Sequence, residues 1–156
     1  HDALPISIAG DHYPYMLSLS EINEISSFKR DNITVNKSKF ILWNSEIQTI
    51  HIDKVGSTVD VMPTLYNLFG IDYDSRLFIG QDILSETPSI VMLDGSNWVT
   101  DEGIYYASSA KFVKKDETKE LEENYIAKIK QLYTNRKNIS KMIVQNNYYK
   151  YISEFF

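Results

Sequence analysis

The chain has 156 residues, no cysteine and a formal net charge of −5 at pH 7. Its length and its 43% hydrophobic content suit one folded unit with a buried core. The lack of cysteine excludes disulfides and thiolate metal sites, and the acidic balance argues against a nucleic-acid partner.

The first six residues, His1-Asp2-Ala3-Leu4-Pro5-Ile6, match one translation of a common sequencing adapter. We interpret residues 1–6 as non-native and expect the native sequence to begin near Ser7. Pro5 supports this interpretation because it lacks the N–H group that a strand needs at that position. The alternative is that these residues are native and form a loop.

Residues 7–9 predict the end of a buried strand. Gly10 allows the sharp turn that would place Asp11 and His12 on a loop. Regularly spaced apolar side chains then predict a short helix over residues 19–28, with Ser18 or Ser20 as N-cap and a break at residues 31–32.

A continuous apolar run, Phe40–Trp43, predicts a strand that is buried on both faces. Residues 50–53 alternate in polarity and predict a half-exposed strand or an extended loop. A second helix is predicted to begin after Asp60 as its N-cap and to end before Gly70, with Pro63 tolerated at the third helical position. Its apolar stripe comprises Val61, Leu65, Leu68 and Phe69.

Residues 90–93 predict a further buried strand. Residues 98–100 and 104–106 predict a hairpin around a three-residue loop, Asp101-Glu102-Gly103, with glycine in the left-handed conformation. Residues 111–113 predict a third strand beside it.

Two helices are predicted after residue 116. The first has the apolar stripe Leu121, Tyr125, Ile129 and Leu132, and the second contains Ile139, Met142, Ile143 and Ile152. We interpret their lysine-rich faces as solvated, and contact with anionic lipid as the less common alternative.

Asp11 and His12 are the main candidates for chemistry. Neighbouring side chains on a strand face opposite ways, but on a loop they can converge on one ion. A carboxylate and an imidazole suit manganese, zinc or magnesium better than calcium. The dipeptide alone is a weak signal, since an aspartate N-cap beside an incidental histidine is the more common explanation.

Three blocks in order carry a more specific signal: residues 10–15 (GDHYPY), 56–71 (GSTVDVMPTLYNLFGI) and 80–84 (GQDIL). From about Ile8 to Val113 the chain resembles the C-terminal third of lipoteichoic acid synthases and their sulfatase-like relatives, in the alkaline phosphatase superfamily. The resemblance implies a C-terminal fragment with an α/β fold: part of an alkaline-phosphatase-like sandwich, a small antiparallel subsheet and C-terminal helices. It assigns residues 7–115 to the catalytic domain and 116–156 to a helical extension.

The resemblance also implies a reaction, the transfer of phosphoglycerol from phosphatidylglycerol through a phosphothreonine. Asp11 and His12 would be metal ligands, with manganese expected first and magnesium or zinc as alternatives. The nucleophilic threonine would lie upstream, so no catalytic residue is assigned here, and the fragment alone is expected to be inactive. Tyr13 and Tyr15 would line the substrate pocket, which would take a glycerophospholipid or another phosphate or sulfate ester.

The same resemblance places the parent protein in the cell membrane of a Gram-positive bacterium, with an upstream anchor and an extracellular catalytic domain. Two other functions stay open: a sulfatase or phosphodiesterase with the same metal pair, and a non-catalytic surface binding domain.

Several other polar residues have simpler explanations than chemistry. His51 is interpreted as an outward-facing side chain and Asp60 as a helix cap. Thr58 and Thr64 are interpreted as capping and packing residues. Gln81 and Asp82 are expected to form a turn, with a substrate role as the minority alternative.

Overall fold

The computed structural model describes residues 5–46 and 48–154, and the chain divides into two compact units, His1–Asp53 and Lys54–Phe156. Its architecture is mixed α/β, with strands in two antiparallel sheets and the longest helix near the C-terminus. No helix within the described residues has the length and apolar character needed to cross a membrane. Most of the proposed adapter-derived segment, residues 1–4, lies outside the described part.

The first unit contains, in chain order, strand β1 (Ile6–Ala9), helix α1 (Leu19–Ile25), a 3-10 turn (Thr34–Asn36) and strand β2 (Phe40–Trp43). β1 and β2 pair antiparallel, with Ile8 opposite Ile41. Both strands were predicted to be buried, and this was wrong: β1 is exposed throughout, and β2 is half-buried at alternate positions. The reason is that, among the described residues, the two strands form a ribbon without a third strand beside it.

Helix α1 begins where the sequence predicted. The Ser18 hydroxyl accepts from the Glu21 N–H, and the Glu21 carboxylate accepts from the Ser18 N–H at 2.7 Å, which completes a capping box. The helix ends at Ile25, earlier than predicted, so Ile22 is buried whereas Ile25 is 75% exposed. Residues 50–53 have no regular secondary structure, so they form a loop and not a strand.

The second unit contains a 3-10 turn (Thr58–Asp60), α2 (Val61–Leu68), a 3-10 turn (Ser75–Leu77), β3 (Ile90–Met92), a 3-10 turn (Asp94–Ser96), β4 (Trp98–Thr100), β5 (Gly103–Tyr106), β6 (Lys111–Lys114), α3 (Tyr125–Gln145) and α4 (Tyr148–Ser153). The four strands form one antiparallel sheet in the order β3-β4-β5-β6. The strand predicted at residues 90–93 is an edge strand of this sheet, with only its first residue buried.

Helix α2 ends as predicted, because Gly70 adopts a left-handed φ of 64°. The Gly70 N–H donates to Asn67 O and the Ile71 N–H to Tyr66 O, which is a Schellman motif. The predicted buried stripe was wrong in part. Pro63 and Thr64 are the buried residues, whereas Leu68 and Phe69 at the end of the stripe are exposed.

The hairpin between β4 and β5 has a two-residue connection, not the predicted three-residue loop. Gly103 already pairs with Thr100 and stands between two strands. A Cβ atom at Gly103 would lie 2.2 Å from Val113 O, so the close approach of β6 requires glycine there.

Two helices were predicted, with a break between them before Ile139. The structure has one continuous helix, α3, across this position. No glycine or proline interrupts residues 125–145, so nothing stops the helix until Asn147, whose φ is 50°. Its inner face covers the sheet core, which is built on Ile90, Trp98 and Tyr105. The Tyr125 hydroxyl also donates to Thr100 Oγ1 at 2.8 Å. The domain boundary at residues 115 and 116 stays a prediction.

Candidate metal centre

The loop after β1 carries the three features that the sequence singled out: a glycine, an acidic residue and a histidine. A Cβ atom at Gly10 would lie 2.9 Å from the Ser38 Cβ. The backbone at the end of β1 is therefore close to the segment before β2. Residues 10–14 have no regular secondary structure. The alternation of side chains along a strand therefore does not constrain Asp11 and His12.

Asp11 and His12 converge in this loop. The Asp11 Oδ2 and His12 Nε2 atoms are 3.4 Å apart, and the other carboxylate oxygen, Oδ1, accepts from the His12 N–H at 2.8 Å. The side chains of His12 and Asp11 are 46% and 86% exposed. Both donor atoms are therefore within reach of an ion from solvent.

The His12 ring makes a second contact through its other nitrogen, Nδ1. Nδ1 lies 2.7 Å from the backbone carbonyl of Tyr13, and a carbonyl can only accept, so Nδ1 carries a proton. In the neutral ring, this leaves Nε2 as the nitrogen with a free lone pair. A metal-binding histidine commonly has this arrangement, with its other ring nitrogen donating to a carbonyl.

Two tyrosines surround the histidine. The Tyr15 ring stacks on His12 with 4.4 Å between centroids and 10° between planes. Tyr13 meets Tyr15 edge-on at 4.9 Å. This aromatic group holds the imidazole plane, and 66% of Tyr15 is exposed beside it.

The spacing of the two donor atoms fits one ion. Nitrogen and oxygen ligands about 2.1 Å from a divalent ion are about 3.0 Å apart at an octahedral angle and about 3.4 Å apart at a tetrahedral one. The distance of 3.4 Å between Asp11 Oδ2 and His12 Nε2 equals the tetrahedral value. Residues 5–46 and 48–154 contain no group of three or more histidine or acidic side chains that could hold a metal, so Asp11 and His12 have no third ligand of this kind among the described residues.

Sequence comparisons find two relatives of this chain. It is 31% identical over 112 residues to the lipoteichoic acid synthase-like protein YvgJ of Bacillus subtilis (strain 168), a match over 64% of this chain and 18% of that protein. It is 26% identical over 136 residues to lipoteichoic acid synthase 2 of the same strain, over 82% of this chain and 20% of that protein. The chain is distantly similar to lipoteichoic acid synthases.

The chain spans about a fifth of the length of these curated relatives. No protein-family model matches it. No solved structure matches it either. The architecture is mixed α/β, and the alkaline-phosphatase-like fold stays a prediction.

The second block of the resemblance is organised around a buried carboxylate. Asp60 is 6% exposed, and its Oδ2 accepts from the Ser57 N–H at 2.7 Å and from the Ser57 hydroxyl at 3.1 Å. Its Oδ1 accepts from the Gln81 N–H at 2.8 Å. The predicted N-cap of α2 was wrong in detail, since the Asp60 side chain makes no cap hydrogen bond to that helix and completes a capping box with Ser57 instead.

The third block is attached to the same carboxylate. A Cβ atom at Gly80 would lie 2.0 Å from Val59 O, so only glycine allows this loop to lie against the start of α2. The Thr64 hydroxyl donates to Asp60 O and accepts from the Ile83 N–H at 2.9 Å. Asp60, Thr64 and Gly80 thus form one structural group, which we call the Asp60 junction.

The other candidates from the sequence occupy structural positions. Gln81 donates to the carbonyl of Pro88 at 3.0 Å, and Asp82 accepts from Asn67 Nδ2 at 2.9 Å and from the Leu84 N–H as part of a turn. The His51 side chain is 86% exposed and contacts Asp53 at 3.1 Å, in agreement with an outward-facing residue. Thr58 begins the 3-10 turn before α2 and is exposed.

Sequence reasoning interpreted one candidate surface as solvated and kept contact with anionic lipid only as the less common alternative. α3 carries five basic residues and no acidic residue over its 21 positions. The sequence shows these basic residues without acidic residues between them. Lysines on a helix are usually assigned to a solvated face, so the imbalance of charge received little weight.

Proposed function

We propose that this chain supplies the Asp11-His12 part of the divalent-metal site of a phosphoglycerol transferase related to lipoteichoic acid synthases. The observation that carries the proposal is the convergence of the Asp11 and His12 donor atoms at 3.4 Å, in a chain with two lipoteichoic-acid-synthase relatives. Manganese is the first choice, with magnesium and zinc as alternatives, because one carboxylate and one imidazole suit all three ions. The proposed donor is phosphatidylglycerol.

The roles of the chain's own residues follow from the loop geometry. Asp11 contributes a negative oxygen, and His12 contributes Nε2 of a ring whose Nδ1 donates to the Tyr13 carbonyl. Tyr15 holds the imidazole plane by stacking and offers its exposed ring edge to a substrate. The bound ion would activate the nucleophile and neutralise charge that develops on the phosphoryl oxygens.

The nucleophile and the remaining ligands belong to the proposed whole protein. Thr64 is 4% exposed and uses its hydroxyl in two structural hydrogen bonds, so it is not available for attack. We therefore propose that the 156-residue chain binds the metal weakly and does not turn over a phosphoglycerol ester.

Manganese titration of the chain, followed by electron paramagnetic resonance of the free ion, tests the metal assignment. Asp11→Asn and His12→Gln each remove one of two ligands and should weaken binding by about tenfold or more. His51→Gln and Asp53→Asn alter another exposed histidine-aspartate pair and should leave the affinity unchanged. Equal affinity in all four variants and the unmodified chain would refute the assignment.

A second measurement addresses the reaction. Incubating the purified chain with manganese and phosphatidylglycerol should release no diacylglycerol. Metal-dependent release that Asp11→Asn abolishes would overturn the proposal that the chemistry needs residues beyond this chain.

A further inference from the structure

Charge is distributed unequally along the chain. Residues 125–156 carry six basic residues and one acidic residue, a net charge of +5, while the preceding 124 residues carry 10 basic and 20 acidic residues, a net charge of −10. Exposed helices of soluble proteins usually place acidic residues three or four positions from their lysines, where the pairs stabilise the helix. α3 contains no such residue.

The basic side chains of α3 and α4 fall into two groups. The first three contact their own unit: Lys128 pairs with Glu122 at 2.7 Å, Lys130 lies over the Tyr105 ring at 4.5 Å, and Arg136 donates to Gln81 Oε1 at 3.1 Å. The others, Lys137, Lys141 and Lys150, are exposed and form no ion pair with any residue in the described ranges. Lys137 and Lys141 are one helical turn apart, an arrangement that costs helix stability unless an anion compensates it.

Large apolar side chains are exposed among these lysines. Met142 is 61% exposed and Val144 is 77% exposed, both in the last turn of α3 beside Lys141. Ile139, in the preceding turn, is 57% exposed. An exposed apolar group of this kind, interleaved with lysines, differs from an ordinary solvated helix face.

We propose that the outer surface formed by Lys137, Lys141, Met142, Val144 and Lys150, which we call the basic-apolar face, binds an anionic lipid surface. The lysines would contact lipid phosphates, while the apolar side chains enter the boundary between headgroups and acyl chains. Charge complementarity favours this occupant, because the rest of the chain is strongly acidic and directs this segment alone toward an anionic surface. The inference goes beyond the proposed function and does not depend on the metal site.

Vesicle flotation with the whole chain tests the proposal. Vesicles of phosphatidylcholine alone and of phosphatidylcholine with phosphatidylglycerol are compared in the presence of a chelator, so that metal bridging through Asp11 and His12 does not contribute. The chain should float only with the anionic vesicles, and added salt should weaken the binding without abolishing it.

The lysines are tested by the triple variant Lys137→Gln, Lys141→Gln and Lys150→Gln. Each lysine near an anionic surface favours binding about fivefold, so the variant should lower the partition coefficient on the order of 100-fold. The matched control changes the same charge elsewhere, with Lys29→Gln, Lys39→Gln and Lys111→Gln, all exposed in the structure. The control should bind the anionic vesicles about tenfold or more tightly than the triple variant of Lys137, Lys141 and Lys150.

The apolar side chains are tested by Met142→Gln with Val144→Gln. This variant should keep salt-sensitive binding and lose the part that survives added salt. Unchanged circular dichroism would show that each variant is folded.

The proposal is wrong if the unmodified chain does not bind anionic vesicles, or if the triple lysine variant binds them equally well. It is also wrong if Met142→Gln with Val144→Gln changes only self-association, which would make the face a protein contact.

Discussion

Asp11 and Asp60 lie in two of the three sequence blocks that carry the resemblance, yet their surroundings are opposite. The Asp11 side chain is 86% exposed, and one of its oxygens faces a histidine nitrogen. Asp60 is 6% exposed, and three donors from Ser57 and Gln81 occupy its carboxylate. A carboxylate whose acceptor capacity is used by the backbone stabilises the fold, whereas one with open capacity beside an imidazole is free to bind an ion. This difference implies that a substitution at Asp60 lowers stability more than the same substitution at Asp11.

The largest effect is expected at Asp60. In Asp60→Asn, an amide of the same shape turns its NH₂ group toward a backbone donor, so the buried Ser57 or Gln81 N–H loses its acceptor. We expect the free energy of unfolding to fall by about 3 kcal/mol, measured by urea denaturation. Asp72→Asn, at an exposed position nearby, is the control and should change stability by less than about 0.5 kcal/mol. Equal stabilities would mean that the Asp60 junction does not hold this unit together.

A smaller loss is expected at Gly80. The Cβ atom of Gly80→Ala would meet Val59 O at 2.0 Å, so the loop must move away and lengthen the bond from the Gln81 N–H to Asp60. We expect a loss of about 2 kcal/mol. Gly70→Ala is the comparison, because its Cβ atom would meet nothing within 4 Å and only the left-handed φ of 64° opposes it. That variant should lose about 1 kcal/mol, and a reversed order would contradict the steric explanation.

Asp74 provides a half-buried carboxylate that pairs with an arginine. Hydrogen bonds from the Arg76 side chain and backbone lower the pKa of Asp74 from 3.8 to about 2. Because the folded pKa is depressed, the stabilisation is present above pH 3.8 and is lost as the pH falls toward 2. In Arg76→Gln, a carboxyl NMR titration should show the pKa of Asp74 returning toward 3.8. An unchanged low pKa would exclude the Arg76 side chain as its main cause.

The smallest effect on stability is expected in the loop that carries Asp11 and His12. Asp11→Asn should change the free energy of unfolding by less than about 0.5 kcal/mol in metal-free buffer, because the side chain is exposed. Added manganese should raise the melting temperature of the unmodified chain and leave that of Asp11→Asn unchanged. A large loss of stability in metal-free buffer would give Asp11 a structural role like that of Asp60.

Local signals in the sequence predicted much of the fold. The capping serine of α1, the glycine that ends α2 and the alternating strands of the hairpin each act over a few residues, and the structure shows all three. The convergence of Asp11 and His12 was also predictable, since a glycine after a strand permits an irregular loop. The metal, the substrate and the roles of Tyr13 and Tyr15 stay predictions.

By itself, the sequence determined the positions of helix starts, turns and the charged run in α3, because backbone conformation and side-chain capping depend on near neighbours. Only the tertiary structure decided which apolar residues are buried, that β1 and β2 form an exposed ribbon, and that Asp60 accepts from Gln81. Those outcomes depend on contacts between residues distant along the chain, such as the 21 positions that separate Asp60 from Gln81. A short sequence window does not contain both partners of such a contact.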